Sequence, residues 1–159
     1  MSTVIRLESR RKLRPVIEDH LHLWVQSRLF LADEARKAAL NAALSYRNFT
    51  VGCALYAFKP DAYYYNDVHK VFRGVNMKIG KNSHKICAEQ VAIGAARAEG
   101  YRFIIGMAVA GKPQPDDESF LAPDTLHSCS DCRELFKKLP ELSGDSRIIT
   151  AHLTEEIYE

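Results

Sequence analysis

Apolar residues recur along the first part of the chain at Val16, Ile17, Leu21, Trp24, Val25 and Leu29. That spacing is one face of a helix, and it predicts an amphipathic helix over 13–30 that begins near Pro15. Asp33 is placed to cap a second helix, rich in Ala and Leu, that ends about Leu44. The pattern then changes period. Thr50 to Phe58 is β-rich and mostly apolar, Lys59-Pro60-Asp61 breaks it, and Val68 to Val75 reads as the return strand of a hairpin. Cys87 to Glu99 has a helical pattern that stops at Gly100. Phe103 to Ala110 is a short apolar run of the kind that forms a buried strand. Gly111 to Asp124, with Pro113, Pro115 and Pro123, reads as a surface loop. Cys132 to Leu139 is a helix stopped by Pro140, and Arg147 to Leu153 is a last strand. The order α-α-β-β-α-β-α-β predicts an α/β fold, a three-layer α/β/α sandwich around a mixed sheet.

At 159 residues the chain is long enough for one domain with a real core and too short for two. We read residues 1–30 as an N-terminal helical extension and 31–159 as the domain proper. The net charge of +2 gives no electrostatic case for a long nucleic-acid track. The basic stretch Arg6 to Arg14 is read as a solvated helix start. No apolar run approaches the roughly 20 residues that cross a bilayer. Met1 to Arg14 is charged throughout and leaves no secretory apolar core. The expectation is a soluble, cytoplasmic protein whose four cysteines stay reduced.

Those cysteines carry the chemistry. Cys87-Ala88-Glu89 is followed downstream by Cys129-Ser130-Asp131-Cys132. Three thiols can close around one Zn²⁺ and leave a fourth position open, the arrangement of a catalytic zinc. Cys87 falls at the start of one predicted helix and Cys129/Cys132 at the start of another, where helix N-termini stabilise thiolates. Glu89 is placed two residues from the first thiol, in reach of a water's proton. A Cys-x-Glu followed by Cys-x-x-Cys is the layout of zinc nucleobase deaminases. Cys53, inside the first strand, reads as a small buried residue. Two alternatives stand beside the catalytic reading. One is a purely structural zinc, for which His84 or His127 would supply a fourth ligand; the other is a redox Cys-x-x-Cys.

With these residues the chain resembles the cytidine deaminase family, in its small branch with three zinc cysteines. The resembling segments are Ser45-Tyr46-Arg47-Asn48-Phe49-Thr50-Val51-Gly52, Gly74-Val75-Asn76, Ile86-Cys87-Ala88-Glu89 and Cys129-x-x-Cys132-Arg133. They extend from about Leu31 to Ile149. The resemblance implies zinc held by Cys87, Cys129 and Cys132, with Glu89 catalytic. It implies Phe49 stacked on the pyrimidine, Asn76 bonded to the sugar, and backbone groups of Ala88 at the ring edge. Arg133 would moderate the charge of the thiolates. Gln90 stands where the family often has an arginine, and Lys78 where it has a sugar-binding glutamate. Ser128 replaces a proline, and His127 before it is a candidate pocket residue. The implied activity is hydrolytic deamination of a cytosine nucleoside in pyrimidine salvage, by a homotetramer or dimer acting on a free small molecule. Lys78 also resembles the blasticidin S deaminases, which lack the glutamate, so a modified cytosine nucleoside is the near alternative. A polynucleotide deaminase and a non-catalytic zinc protein are further ones.

Overall fold

A computed structural model describes residues 26–42, 49–59, 69–81, 84–111, 128–151, 153 and 157–158. Its sheet is five-stranded, in the order β2-β1-β3-β4-β5. The strands are β1 (Val51–Phe58), β2 (His69–Val75), β3 (Phe103–Gly111), β4 (Leu142–Ala151) and the two-residue β5 (Ile157–Tyr158). The helices are α1 (26–41), α2 (Ala88–Ala98) and α3 (Ser130–Lys138). Pairing is antiparallel for β1 with β2, β1 with β3 and β4 with β5, and parallel for β3 with β4. A parallel pair needs a crossover, and α3 lies on the connection from β3 to β4.

Alternation along β1 divides the core in two. Val51, Cys53, Leu55 and Ala57 face one cluster, with Ala88, Ala92, Ile93 and Ala96 of α2. Leu135, Phe136 and Leu139, from α3 and its end, close the same cluster. Ala54 and Phe58 face the other, with Leu31, Ala32 and Ala35 of α1. The predicted three-layer α/β/α sandwich is therefore the observed fold. In β3 the alternation slips once: Ile105 faces α1 and Met107 faces α2. The register with β1 shifts between Tyr56 and Ala57, which pair with Gly106 and Ile104, so Ile105 is the extra residue of a bulge.

Two glycines let helices press on the sheet from opposite sides. A Cβ on Gly52 would fall within 3.0 Å of α1 backbone at Ala38, and closer still to Ala35 and Ala39. A Cβ on Gly74 would meet the Ala88 carbonyl oxygen and lie 2.6 Å from the Ala92 nitrogen in α2. Gly74 pairs with Cys53, the neighbour of Gly52, so the two close approaches sit back to back.

Three expectations are corrected. The break between a helix ending at Phe30 and one capped by Asp33 is absent: residues 26–41 are continuously helical. Asp33 instead accepts a hydrogen bond from Arg36 one turn on, at 2.8 Å. The third helix starts at Ser130 rather than Cys132, because Cys129 is its N-cap. The strand expected from Arg147 begins at Leu142, where it pairs with Ile104 before its register shifts. Most of the 13–30 helix, the loop after Gly111, the Ser45–Asn48 segment and His127 lie outside the described residues.

Candidate metal centre

Cys87 is the N-cap of α2, with extended backbone (φ −79°, ψ 150°). Cys129 is the N-cap of α3 in the same conformation (φ −64°, ψ 165°), and Cys132 is in that helix's first turn. The two helices thus deliver their positive ends to one place. The three sulfurs all lie within 4.8 Å of one another, and Cys87 Sγ is 3.5 Å from Cys129 Sγ. Among the described residues no fourth cysteine or histidine joins them; His84 stands exposed outside the group. All three thiols are free of disulfides.

One thiol of the cluster, Cys87, is electrostatically prepared to lose its proton. The Cys87 thiol is lowered to about 7, first by a hydrogen bond from Cys132. Cys129 and Lys85 act in the same direction, and burial and Glu89 oppose them. Cys132, the fully buried donor of that pair, is pushed up correspondingly. A soft divalent cation that prefers tetrahedral thiolate donors, as zinc does, suits this donor set.

Glu89 is buried, only 3% exposed, and has no ion-pair partner among the described residues. Its charge raises Cys53, Cys87 and Cys132, so it lies within electrostatic reach of these thiols. Cys53 itself is a buried core residue whose thiol is raised chiefly by desolvation, as its position in the first strand suggested.

The remaining candidate residues fall at the starts of α2 and α3 and at the ends of β1 and β2. Ala88 is fully buried and opens α2. Phe49 is half-buried against the cluster that contains Ala88. Asn76 is buried, and its amide spans the entrance of β1: Oδ1 accepts from Val51 N–H at 2.8 Å and Nδ2 donates to the Phe49 carbonyl at 2.8 Å. Gln90 Oε1 accepts from the Cys87 N–H at 3.3 Å, completing a capping box at the start of α2. Arg133 is exposed, and its backbone N–H donates to the Cys129 carbonyl at 2.9 Å. Lys78 is half-buried just past Asn76. The capping box had a sequence signal, a Gln three residues after the N-cap. The Asn76 bridge across 25 residues to Val51 had none.

A family model, the cytidine and deoxycytidylate deaminase zinc-binding region, matches residues 26–142. The chain belongs to that family. The match runs from α1 into β4 and contains all three thiols and Glu89. Solved cytidine deaminases share the fold. That of Burkholderia pseudomallei is 26% identical, with a TM-score of 0.59 over 80% of this chain and 87% of that one. That of Mycobacterium leprae is 26% identical, with a TM-score of 0.53 over 76% and 85%. That of Mycobacterium tuberculosis, at 22% identity and a TM-score of 0.52 over 75% and 80%, is alike in fold. The chain is thus a cytidine deaminase-like zinc deaminase, and the Cys87/Cys129/Cys132 cluster is able to hold the metal. No helix among the described residues is long and apolar enough to cross a membrane.

Proposed function

We propose that the protein hydrolytically deaminates a free cytosine nucleoside, cytidine or deoxycytidine, to the uracil nucleoside. The observation that carries this reading is a buried carboxylate, Glu89, two residues from Cys87 in a cluster of three thiols that no fourth cysteine or histidine joins among the described residues. A structural zinc site closes with four protein ligands, whereas a catalytic one keeps a position open.

Cys87, Cys129 and Cys132 would hold the zinc, which when bound would supply an activated water. The reaction forms a C4–O bond and breaks the C4–N bond, consuming water and releasing ammonia. Glu89 takes a proton from water and delivers it to ring N3, then moves the remaining proton of the C4 hydroxyl to the departing amine as the C4–O bond becomes a carbonyl. A carboxylate in this role contributes about 10²–10⁴-fold. Burial excludes bulk water from Glu89. Phe49 offers a face to the pyrimidine, the Ala88 backbone meets the ring edge, and Asn76 borders the sugar. Gln90 holds Cys87 at the helix start, and Arg133 sets a positive charge one turn from Cys129.

A panel of cytidine, deoxycytidine, blasticidin S and a short cytosine-containing single strand, assayed for ammonia with zinc-loaded protein, tests the reading. Turnover of free nucleosides and not of the strand is expected. Turnover of the strand alone, or of nothing, overturns it.

A further inference from the structure

The hydroxyl oxygen of Ser128 is sealed from solvent and has no hydrogen-bond partner among the described residues. Glu34, Glu141 and His69 also hold a buried polar atom of this kind, but each side chain is engaged elsewhere. Glu34 pairs with Lys37 and Arg73, Glu141 pairs with Arg97, and His69 stacks on Tyr56. Ser128 has no second contact of that sort among the described residues. A buried hydroxyl without a partner is costly, so it calls for a use outside the fold itself. Its place supplies one. Ser128 immediately precedes Cys129, the N-cap of α3, across one peptide link of about 3.8 Å between Cα atoms. None of the three clustered sulfurs is its partner, so the hydroxyl does not support a thiolate. It remains available to a molecule bound at the cluster. The two helix starts that converge on the thiols therefore carry a carboxylate, Glu89, on α2 and a hydroxyl, Ser128, ahead of α3.

Resting on the deaminase reading above, we propose that Ser128 Oγ binds the C4 amine of the substrate and holds it as it departs as ammonia. Phe49, Ala88 and Asn76 are assigned to the ring and the sugar, and Glu89 to proton transfer; the amine has no group that binds it. A hydroxyl is both acceptor and donor. It accepts from an amine N–H before the C4–N bond breaks and, by rotating, donates to the lone pair of ammonia afterwards. No proton is transferred at Ser128; the one that completes the ammonia comes through Glu89. Proline, the residue that the family resemblance expects here, has no hydroxyl, so the role is particular to this chain.

Zinc content, Tm and kcat/KM for cytidine are compared for wild type, Ser128→Ala and Ser128→Thr. Binding is separated from turnover in a zinc-loaded Glu89→Gln background, with and without Ser128→Ala. Calorimetry there measures cytidine and a pyrimidin-2-one ribonucleoside, which carries only hydrogen at C4. Ser128→Ala should keep one zinc per chain and melt no lower than wild type, since the hydroxyl it removes is unpaired in the fold. It should lose about tenfold in kcat/KM, the worth of one hydrogen bond. Ser128→Thr retains the hydroxyl and should stay within a few-fold of wild type. Cytidine should bind more weakly without the hydroxyl, and the pyrimidin-2-one equally well. Unchanged turnover in Ser128→Ala overturns the role of Ser128 and leaves the deaminase standing. So does a fall in Tm and zinc content that accounts for the lost turnover, or equal weakening of both nucleosides. No turnover of cytidine or deoxycytidine by zinc-loaded wild type overturns the deaminase. The amine contact then stands only if cytidine binds more tightly than the pyrimidin-2-one in a Ser128-dependent way, and falls if it does not.

Discussion

A side chain on Gly74 would collide with the carbonyl oxygen of Ala88, the residue that links Cys87 to Glu89. The seating of α2 on β2 therefore sets where the first thiol and the carboxylate lie. Gly74→Ala should cost about 2–3 kcal/mol by overpacking and weaken zinc binding, because backbone rather than a flexible side chain must give way. Gly94, in the same helix with nothing within 4 Å of an added Cβ, is the control. Gly94→Ala should stabilise by about 0.5–1 kcal/mol, the helix cost of glycine. Denaturant melts and zinc titrations of the two variants check this pair.

Asn76 holds the start of β1 through both ends of its amide. Asn76→Ala leaves the buried Val51 N–H without its acceptor and should destabilise by about 2 kcal/mol. If Asn76 also borders the sugar, KM for a nucleoside rises in Asn76→Asp beyond what the loss of stability explains. Parallel melting and kinetic measurements separate the two contributions.

The pH dependence of stability contains a contribution from Glu34. This buried carboxylate in α1 accepts a hydrogen bond from Lys37 at 2.9 Å and pairs with Arg73 of β2. Lys37 first, and then Arg73, hold its pKa below the ordinary 4.5, against the opposing effect of burial. A depressed folded pKa stabilises fully above the unfolded value and is lost as pH falls through the folded one. Glu34→Gln should thus cost about 1–2 kcal/mol near neutrality, both cations being largely solvated. The gap from wild type should close as pH drops below about 4.5. Melts of both proteins from pH 7 to pH 3 test the sign.

Zinc held by Cys87, Cys129 and Cys132 would tie α2 to α3 at both helix starts, so its binding free energy would add to folding free energy. Chelation should lower Tm markedly, and re-addition of one equivalent should restore it. Cys132→Ser should bind zinc weakly and melt with the chelated protein. Cys53→Ser, away from the three-sulfur cluster, should keep one zinc per chain.

The parts of the molecule carried by local patterning were readable in the residues alone. Cys-x-Glu and Cys-x-x-Cys each occupy one helix start, so their spacing reports their geometry directly. The apolar runs of β1 and β3 likewise report burial on both faces. What was not readable depends on partners distant in sequence. Asp33 has the chemistry of a cap, but its oxygen is taken by Arg36 and the helix runs through it. The early start of β4 follows from Leu142 pairing with Ile104 across α3. The closeness of α1 at Gly52 and of α2 at Gly74 is a property of three packed layers. That the Ser128 hydroxyl is buried without a partner is likewise a result of packing, which no local periodicity announces.

The central claim is that Glu89 moves the protons of a zinc-dependent deamination. The most direct test measures ammonia release from cytidine and deoxycytidine by wild type and Glu89→Gln, each at one zinc per chain and with matched Tm. We expect release by wild type, and a fall of about 10²–10⁴-fold in the variant with zinc retained. Equal release by the two proteins, or none from wild type with zinc fully bound, would contradict the account.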